Sequence, residues 1–103
     1  RLAQRVGLGM ARSGSISHNG SGDIFLAFST ANAQAAAVRD GIATATYLAN
    51  DSLDPLFEAV VEASDEAILD SLFVNEDMTG RDSNFVPALP DSVVQRVLAR
   101  VAR

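Results

Sequence analysis

Apolar residues recur at Leu2, Val6 and Met10, a four-residue spacing that predicts a helix running to about Arg12. No Ser, Thr, Asp or Asn precedes it to satisfy the first free N–H groups. It therefore reads as a helix continuing from preceding polypeptide, and the lack of a targeting segment carries no weight. Ala3, Gly7, Gly9 and Ala11 keep much of its surface small, and two glycines in a short helix point to another backbone approaching closely. Ser13-Gly14 is the expected stop, glycine supplying the left-handed conformation that closes a helix. The polar stretch from Ser15 to Gly22 is dense in turn-forming residues and reads as a loop. Asp23 to Thr30 is apolar at odd and even positions alike, the pattern of a strand covered on both faces. Such a strand calls for a layered architecture, with another sheet on one side and helices on the other.

Between Ala31 and Asn50 the signals compete. The alanine run Ala35 to Ala37 favours helix, while Ile42, Thr44, Thr46 and Tyr47 favour strand; the reading adopted is a loop followed by a strand near 42–48. Asp54-Pro55 has the form of an N-cap with proline at the first helical position, opening a long helix to about Asp77 that Gly80 would end. Leu53, Phe57, Val60, Val61, Ile68 and Leu72 make its apolar face. Glu58, Glu62, Asp65 and Glu66 are assigned to a solvated face. A last helix is expected from Ser92, with Gln95 at capping-box spacing, Val93, Val94, Val97, Leu98 and Val101 as its apolar side, and Arg100 and Arg103 near its negative end.

Composition narrows the function classes. With 103 residues, 48% of them apolar, the chain is one domain or part of one. Acidic side chains outnumber basic ones 13 to 8 and the arginines are scattered, which disfavours a nucleic-acid footprint. No apolar run reaches the roughly 18 to 20 residues of a membrane span, so the chain reads as soluble and non-membrane. The absence of cysteine excludes disulfides, thiol catalysis and thiolate zinc sites, and leans toward a reducing, cytoplasmic compartment without fixing the location. A single histidine disfavours a metal centre. The one glycine-rich stretch lacks the lysine of a phosphate-binding loop, and no internal repeat is present.

Polar side chains converge on an apolar segment at Asn19-Gly20-Ser21-Gly22-Asp23. Alternation along an extended chain puts Ser21 and Asp23 on one side, about 7 Å apart, with Gly22 facing away and leaving room for close approach. A hydroxyl and a carboxylate so placed can act together; a plain turn before a strand is the other reading of the same residues. His18, Ser13, Ser15 and Ser17 read as loop residues, and Arg81 and Asp82 as part of an ordered turn.

Several motifs in order resemble the L-aminopeptidase/D-esterase and β-peptidyl aminopeptidase (DmpA-like) family. They are Gly7-Leu8-Gly9-Met10-Ala11-Arg12, Asn19-Gly20-Ser21-Gly22-Asp23-Ile24 and Ala27-Phe28-Ser29-Thr30-Ala31-Asn32, then Leu53-Asp54-Pro55-Leu56-Phe57-Glu58-Ala59-Val60, Glu76-Asp77-Met78-Thr79-Gly80-Arg81-Asp82 and Ala88-Leu89-Pro90. The resemblance covers nearly the whole chain and is least over Gln34 to Tyr47. It implies an α/β fold, a four-layer α/β/β/α sandwich, of which residues 1–103 would be a C-terminal fragment of a single domain, with about three helices and one or two central strands in the smaller subunit.

The resemblance also implies a hydrolase acting on peptides, amides or esters with a free N-terminal amino acid, D- or β-residues included. Its precursor cuts itself in two, freeing a nucleophilic serine whose own α-amino group serves as base. No metal or cofactor is required. That serine would lie upstream of Arg1. Ser21 matches the supporting serine that orients the nucleophile, Asp23 its acidic partner, and Asn19, Gly20 and Gly22 the loop that holds them. The larger subunit of the precursor and further copies of the two-subunit unit are the implied partners, and the fragment alone would be inactive and unstable. Two alternatives stand beside this reading: an acyltransferase of the ornithine acetyltransferase type, and a non-catalytic scaffold in which Ser21 and Asp23 only shape a turn.

Overall fold

The structure, a computed structural model, describes residues 1–102, which fall into two units, Arg1–Asp65 and the residues from Glu66 onward. Arg103, the second of the two arginines expected at the end of the last helix, lies outside the described residues. Among the described residues, four α-helices and one two-stranded sheet make a mixed, helix-rich α/β arrangement.

In the first unit, helix α1 spans Ala3–Arg12 and ends as its sequence predicts. Gly14 takes φ +98°, its N–H bonds to Ala11 O at 3.1 Å, and Ser15 N–H bonds to Met10 O at 3.1 Å, the paired bonds of a glycine-closed helix end. Gly9 is the only buried residue among the described residues. A Cβ there would come within 2.6 Å of both Ser64 Cβ and Val61 O, so the missing side chain is what lets α1 meet helix α3 (Asp54–Phe73) almost backbone to backbone. At the other end of α1, Arg5 and Arg1 stack over the Phe57 ring at 3.9 and 4.9 Å, and Arg1 donates to Asn50 Oδ1 at 2.9 Å.

Three expectations for this unit are corrected. Asp23–Thr30 forms no strand: no backbone N–H or C=O from Asp23 to Ser29 is paired among the described residues, and Ile24, Leu26 and Phe28 are 92%, 86% and 85% exposed. A strand covered on both faces requires neighbouring strands, and none of the described residues supplies one. The 42–48 segment forms no strand for the same reason; only Thr46 is tied, its N–H and C=O both bonded at 2.8 Å to the side-chain amide of Asn32. The alanine-rich stretch expected as loop forms a short helix, α2 (Ala33–Ala37), where alanine's helix propensity prevails.

In the second unit, α3 ends at Phe73, not near Asp77, and Gly80 does not close it. Beyond the helix, Met78–Thr79 (β1) and Phe85–Val86 (β2) pair antiparallel, with Met78 opposite Val86 and Thr79 opposite Phe85. Asp77 is drawn into this hairpin, accepting from Ala88 N–H at 2.8 Å. Helix α4 spans Asp91–Val101; Pro90 occupies its N-cap without a side-chain hydrogen bond, so the Ser92/Gln95 capping box does not form. Val93, Val94, Val97 and Leu98 of α4 line an apolar groove of about 240 Å³ together with Phe73 and Leu89. No helix among the described residues is long and apolar enough to cross a membrane.

Candidate functional site

The loop that leaves α1 turns back on itself at Asn19-Gly20, where Ser21 N–H bonds to His18 O at 2.7 Å. His18 enters the turn through its carbonyl, not its imidazole. The turn delivers Ser21 with its hydroxyl donating to Asp23 Oδ2, a charge-assisted bond between residues two apart. The pairing expected from alternation is thus formed, and the two lone pairs of the Ser21 oxygen stay free to accept a further hydrogen bond. Both residues are exposed. A Cβ at Gly20 or Gly22 would meet nothing within 4 Å, so the close approach expected at Gly22 is not made by any described residue.

Directly after the pair, the chain runs into a largely exposed apolar stretch. Phe25 points back onto α1, its ring 3.9 Å from the Cβ position of Gly7, while Ile24, Leu26 and Phe28 stay open. Leu26, Ala27 and Phe28 line a second apolar groove of about 280 Å³ with Leu2, Ala3, Val6 and Val60. The hydroxyl–carboxylate pair therefore stands at the head of an uncovered apolar face.

Two features escaped the sequence reading. Asp65, assigned to a solvated acidic face, is the exception on that face: its side chain is 19% exposed, accepts from the Ser13 hydroxyl through Oδ1, and pairs through Oδ2 with Arg12 Nε at 3.3 Å. The signal was present, because Val61, Ser64, Asp65 and Ile68 follow the i, i+3, i+4, i+7 spacing of an inward face. The other is the Asn32–Thr46 clamp, for which a lone asparagine in a polar stretch gives no warning.

The chain that carries this hydroxyl–carboxylate pair belongs to a class of peptidases. The chain is a member of peptidase family S58, whose model matches residues 1–86, and the resemblance read from its ordered motifs is borne out at that level. It is 39% identical over its full length to the β-peptidyl aminopeptidase BapA of Sphingosinicella microcystinivorans, covering 26% of that protein. It is 31% identical over 95% of its length to the β-peptidyl aminopeptidase BapA of Sphingosinicella xenopeptidilytica, covering 25% of that one. The chain thus spans about a quarter of the length of these relatives. Among solved structures, the PH0078 protein from Pyrococcus horikoshii OT3 matches all of this chain and 29% of its own, at 37% identity and a TM-score of 0.82.

Proposed function

We propose that this chain is the C-terminal part of the smaller subunit of a self-processing, serine-type N-terminal-nucleophile aminopeptidase, in which Ser21 and Asp23 support a nucleophile carried by polypeptide upstream of Arg1. The observation that carries this reading is the Ser21–Asp23 hydrogen bond at the head of an uncovered apolar segment, in a chain of a peptidase family. The substrate class follows the β-peptidyl aminopeptidases it is similar to: peptides, amides or esters with a free N-terminal amino acid.

In this reading the upstream serine hydroxyl attacks the substrate carbonyl and its proton passes to the same residue's α-amino group. The amine leaves with that proton, and water then hydrolyses the acyl-enzyme. Asp23 fixes the Ser21 hydroxyl by accepting its proton side, so that the Ser21 oxygen is turned to accept from the nucleophile's hydroxyl and orient it. The bare backbone from Asp23 to Ser29 and the exposed face of Ile24, Leu26 and Phe28 fit a central strand of a four-layer α/β/β/α sandwich whose neighbouring strands come from the rest of the protein, the larger subunit included.

The test is alanine substitution of Ser21 and of Asp23 in the complete protein, with turnover of an amino-acid amide measured on folded, processed enzyme. Each variant is expected to lose about a hundredfold in kcat/KM, the scale of a lost proton-transfer or positioning partner. Wild-type turnover in both, with the fold intact, would leave the pair a turn-shaping element and the reading wrong.

A further inference from the structure

We propose that Asp65 is a positioning residue for the Ser21–Asp23 pair, acting through the loop that carries it; this rests on the functional reading above. Among the described residues, the backbone of the loop from Gly14 to Gly22 is held only by bonds within itself and to the end of α1: Gly14 N–H to Ala11 O, Ser15 N–H to Met10 O, Ser17 N–H to Ser15 Oγ at 3.4 Å, and Ser21 N–H to His18 O. Its entry point is different. There a single carboxylate on α3 holds the last residue of α1 and the one after it, Oδ2 on Arg12 Nε and Oδ1 accepting from the Ser13 hydroxyl. Gly9, one turn earlier, allows α3 close enough for that carboxylate to reach, since a Cβ at Gly9 would come within 3.2 Å of Asp65 N.

On the far side of the pair, Phe25 rests on α1 at Gly7. Ser21 and Asp23 are therefore suspended between two attachments, both referred to α1, and Asp65 is what locks the end of α1 to α3. Arg12 is 54% exposed, so its ion pair with Asp65 contributes little stability through solvent. What the carboxylate supplies is geometry: two bonds in different directions fix where the loop starts. A displacement of about 1 Å at a reacting group can cost on the order of a hundredfold in rate, so a small slackening at the loop's root is felt in kcat.

The test uses the complete, processed enzyme with an amino-acid amide as substrate, and compares D65A, D65N, S13A, S21A and the D65A/S21A double variant. The expected result is a kcat about tenfold lower in D65A with KM within about twofold, because positioning of the catalytic pair and not ground-state binding is lost. D65N, whose amide oxygen still accepts from Ser13, should recover part of the loss, and S13A should show the same kcat-only effect in smaller measure. Adding D65A to S21A should cost nothing further, since the group being positioned is already gone. Wild-type kcat in D65A beside an impaired S21A overturns the proposal, as do losses that multiply in the double variant. If D65A does not fold, D65N and S13A decide by the same criterion. Wild-type turnover in S21A is a different failure, that of the functional reading itself.

Discussion

Asp23–Thr30 carries an unbroken apolar run from Ile24 to Phe28 and makes no ladder among the described residues, whereas Met78–Thr79 and Phe85–Val86, two residues each, pair into the sheet of the second unit. The stronger strand signature lies in the segment that forms no strand. The difference is where each partner comes from. The hairpin's partner is brought round by the turn from Arg81 to Asn84, closed by Asn84 N–H on Arg81 O at 3.2 Å and followed by Gly80 N–H on Asn84 O at 2.8 Å. The Asp23–Thr30 segment has turns on either side, at Asn19-Gly20 and at Ala31-Asn32, but they lead into a loop and into α2, so among the described residues neither brings round a strand that could pair with it. Apolar pattern marks the surface that needs cover, while chain topology decides whether a ladder can form locally.

The largest expected effect tests that contrast directly. In hydrogen exchange, the amides of Ile24 to Ser29 should exchange at nearly unprotected rates in the isolated 103-residue chain and about a thousandfold or more slower in the complete protein. Gly80 N–H, bonded within its own hairpin, should change far less between the two. The isolated chain is also expected to aggregate through its open edges and to show no cooperative thermal transition. Slow exchange from Ile24 to Ser29 in the isolated chain breaks the comparison, because the segment would then be paired without outside strands.

A second contrast sets Gly9 in the first unit against Gly80 in the second. A Cβ at Gly9 would sit 2.6 Å from Ser64 Cβ and Val61 O, atoms that cannot rotate away, whereas at Gly80 its nearest neighbour is Asn84 O at an ordinary 3.7 Å. Alanine gains up to about 1 kcal/mol of helix propensity over glycine, which works against the clash at Gly9. Overpacking against backbone outweighs it, so Gly9→Ala should destabilise the complete protein by about 2 kcal/mol. Gly80→Ala should stay within about 0.5 kcal/mol. Equal Tm values for the two variants would mean that the α1–α3 approach is looser than the geometry states.

These contrasts also explain what was legible in the sequence. The end of α1 at Gly14 and the close approach at Gly9 depend on residues within a few positions or on the bare absence of a side chain, and each was read correctly; the start of α3 was read to within one residue, since Asp54, expected as the N-cap, is already helical and Leu53 O takes the first helical bond. The pairing of Ser21 with Asp23 was legible too, because residues two apart are close whatever surrounds them. The strands at 23–30 and 42–48 were not, since a ladder depends on residues remote in sequence. The early end of α3 and the hairpin after it were missed because Gly80 was read as a helix stop when it belongs to the sheet side of a turn. Asp65 was misassigned by its charge although its spacing placed it inward, and Asn32 binds Thr46 across fourteen positions, which local pattern does not reveal. The local pairing of Ser21 with Asp23 was therefore readable, while the longer-range contacts of Asp65 and Asn32 were not.

The smallest effect concerns positive φ, which Gly14, Gly41 and Ser17 take in the first unit and Asp82 and Ser83 in the second. In the first unit Gly14 takes φ +98° at the end of α1; in the second, Asp82 and Ser83 take φ 59° and 60° in the hairpin turn without a glycine between them. The left-handed region costs an L-residue about 1–2 kcal/mol, and asparagine and aspartate tolerate it better than serine. Replacing Ser83 with glycine removes that cost but adds about 0.5–1 kcal/mol of unfolded-state entropy, so Ser83→Gly should stabilise the complete protein by at most about 1.5 kcal/mol. Gly14→Ala meets nothing within 4 Å and is opposed by its φ alone, so it should destabilise by a comparable amount. Thermal denaturation of both variants reads out opposite signs of similar size. A destabilised Ser83→Gly would mean that the turn is held by its serine, and that the hairpin forms for a reason other than a local reversal onto a pairing strand, the feature that Asp23–Thr30 lacks among the described residues.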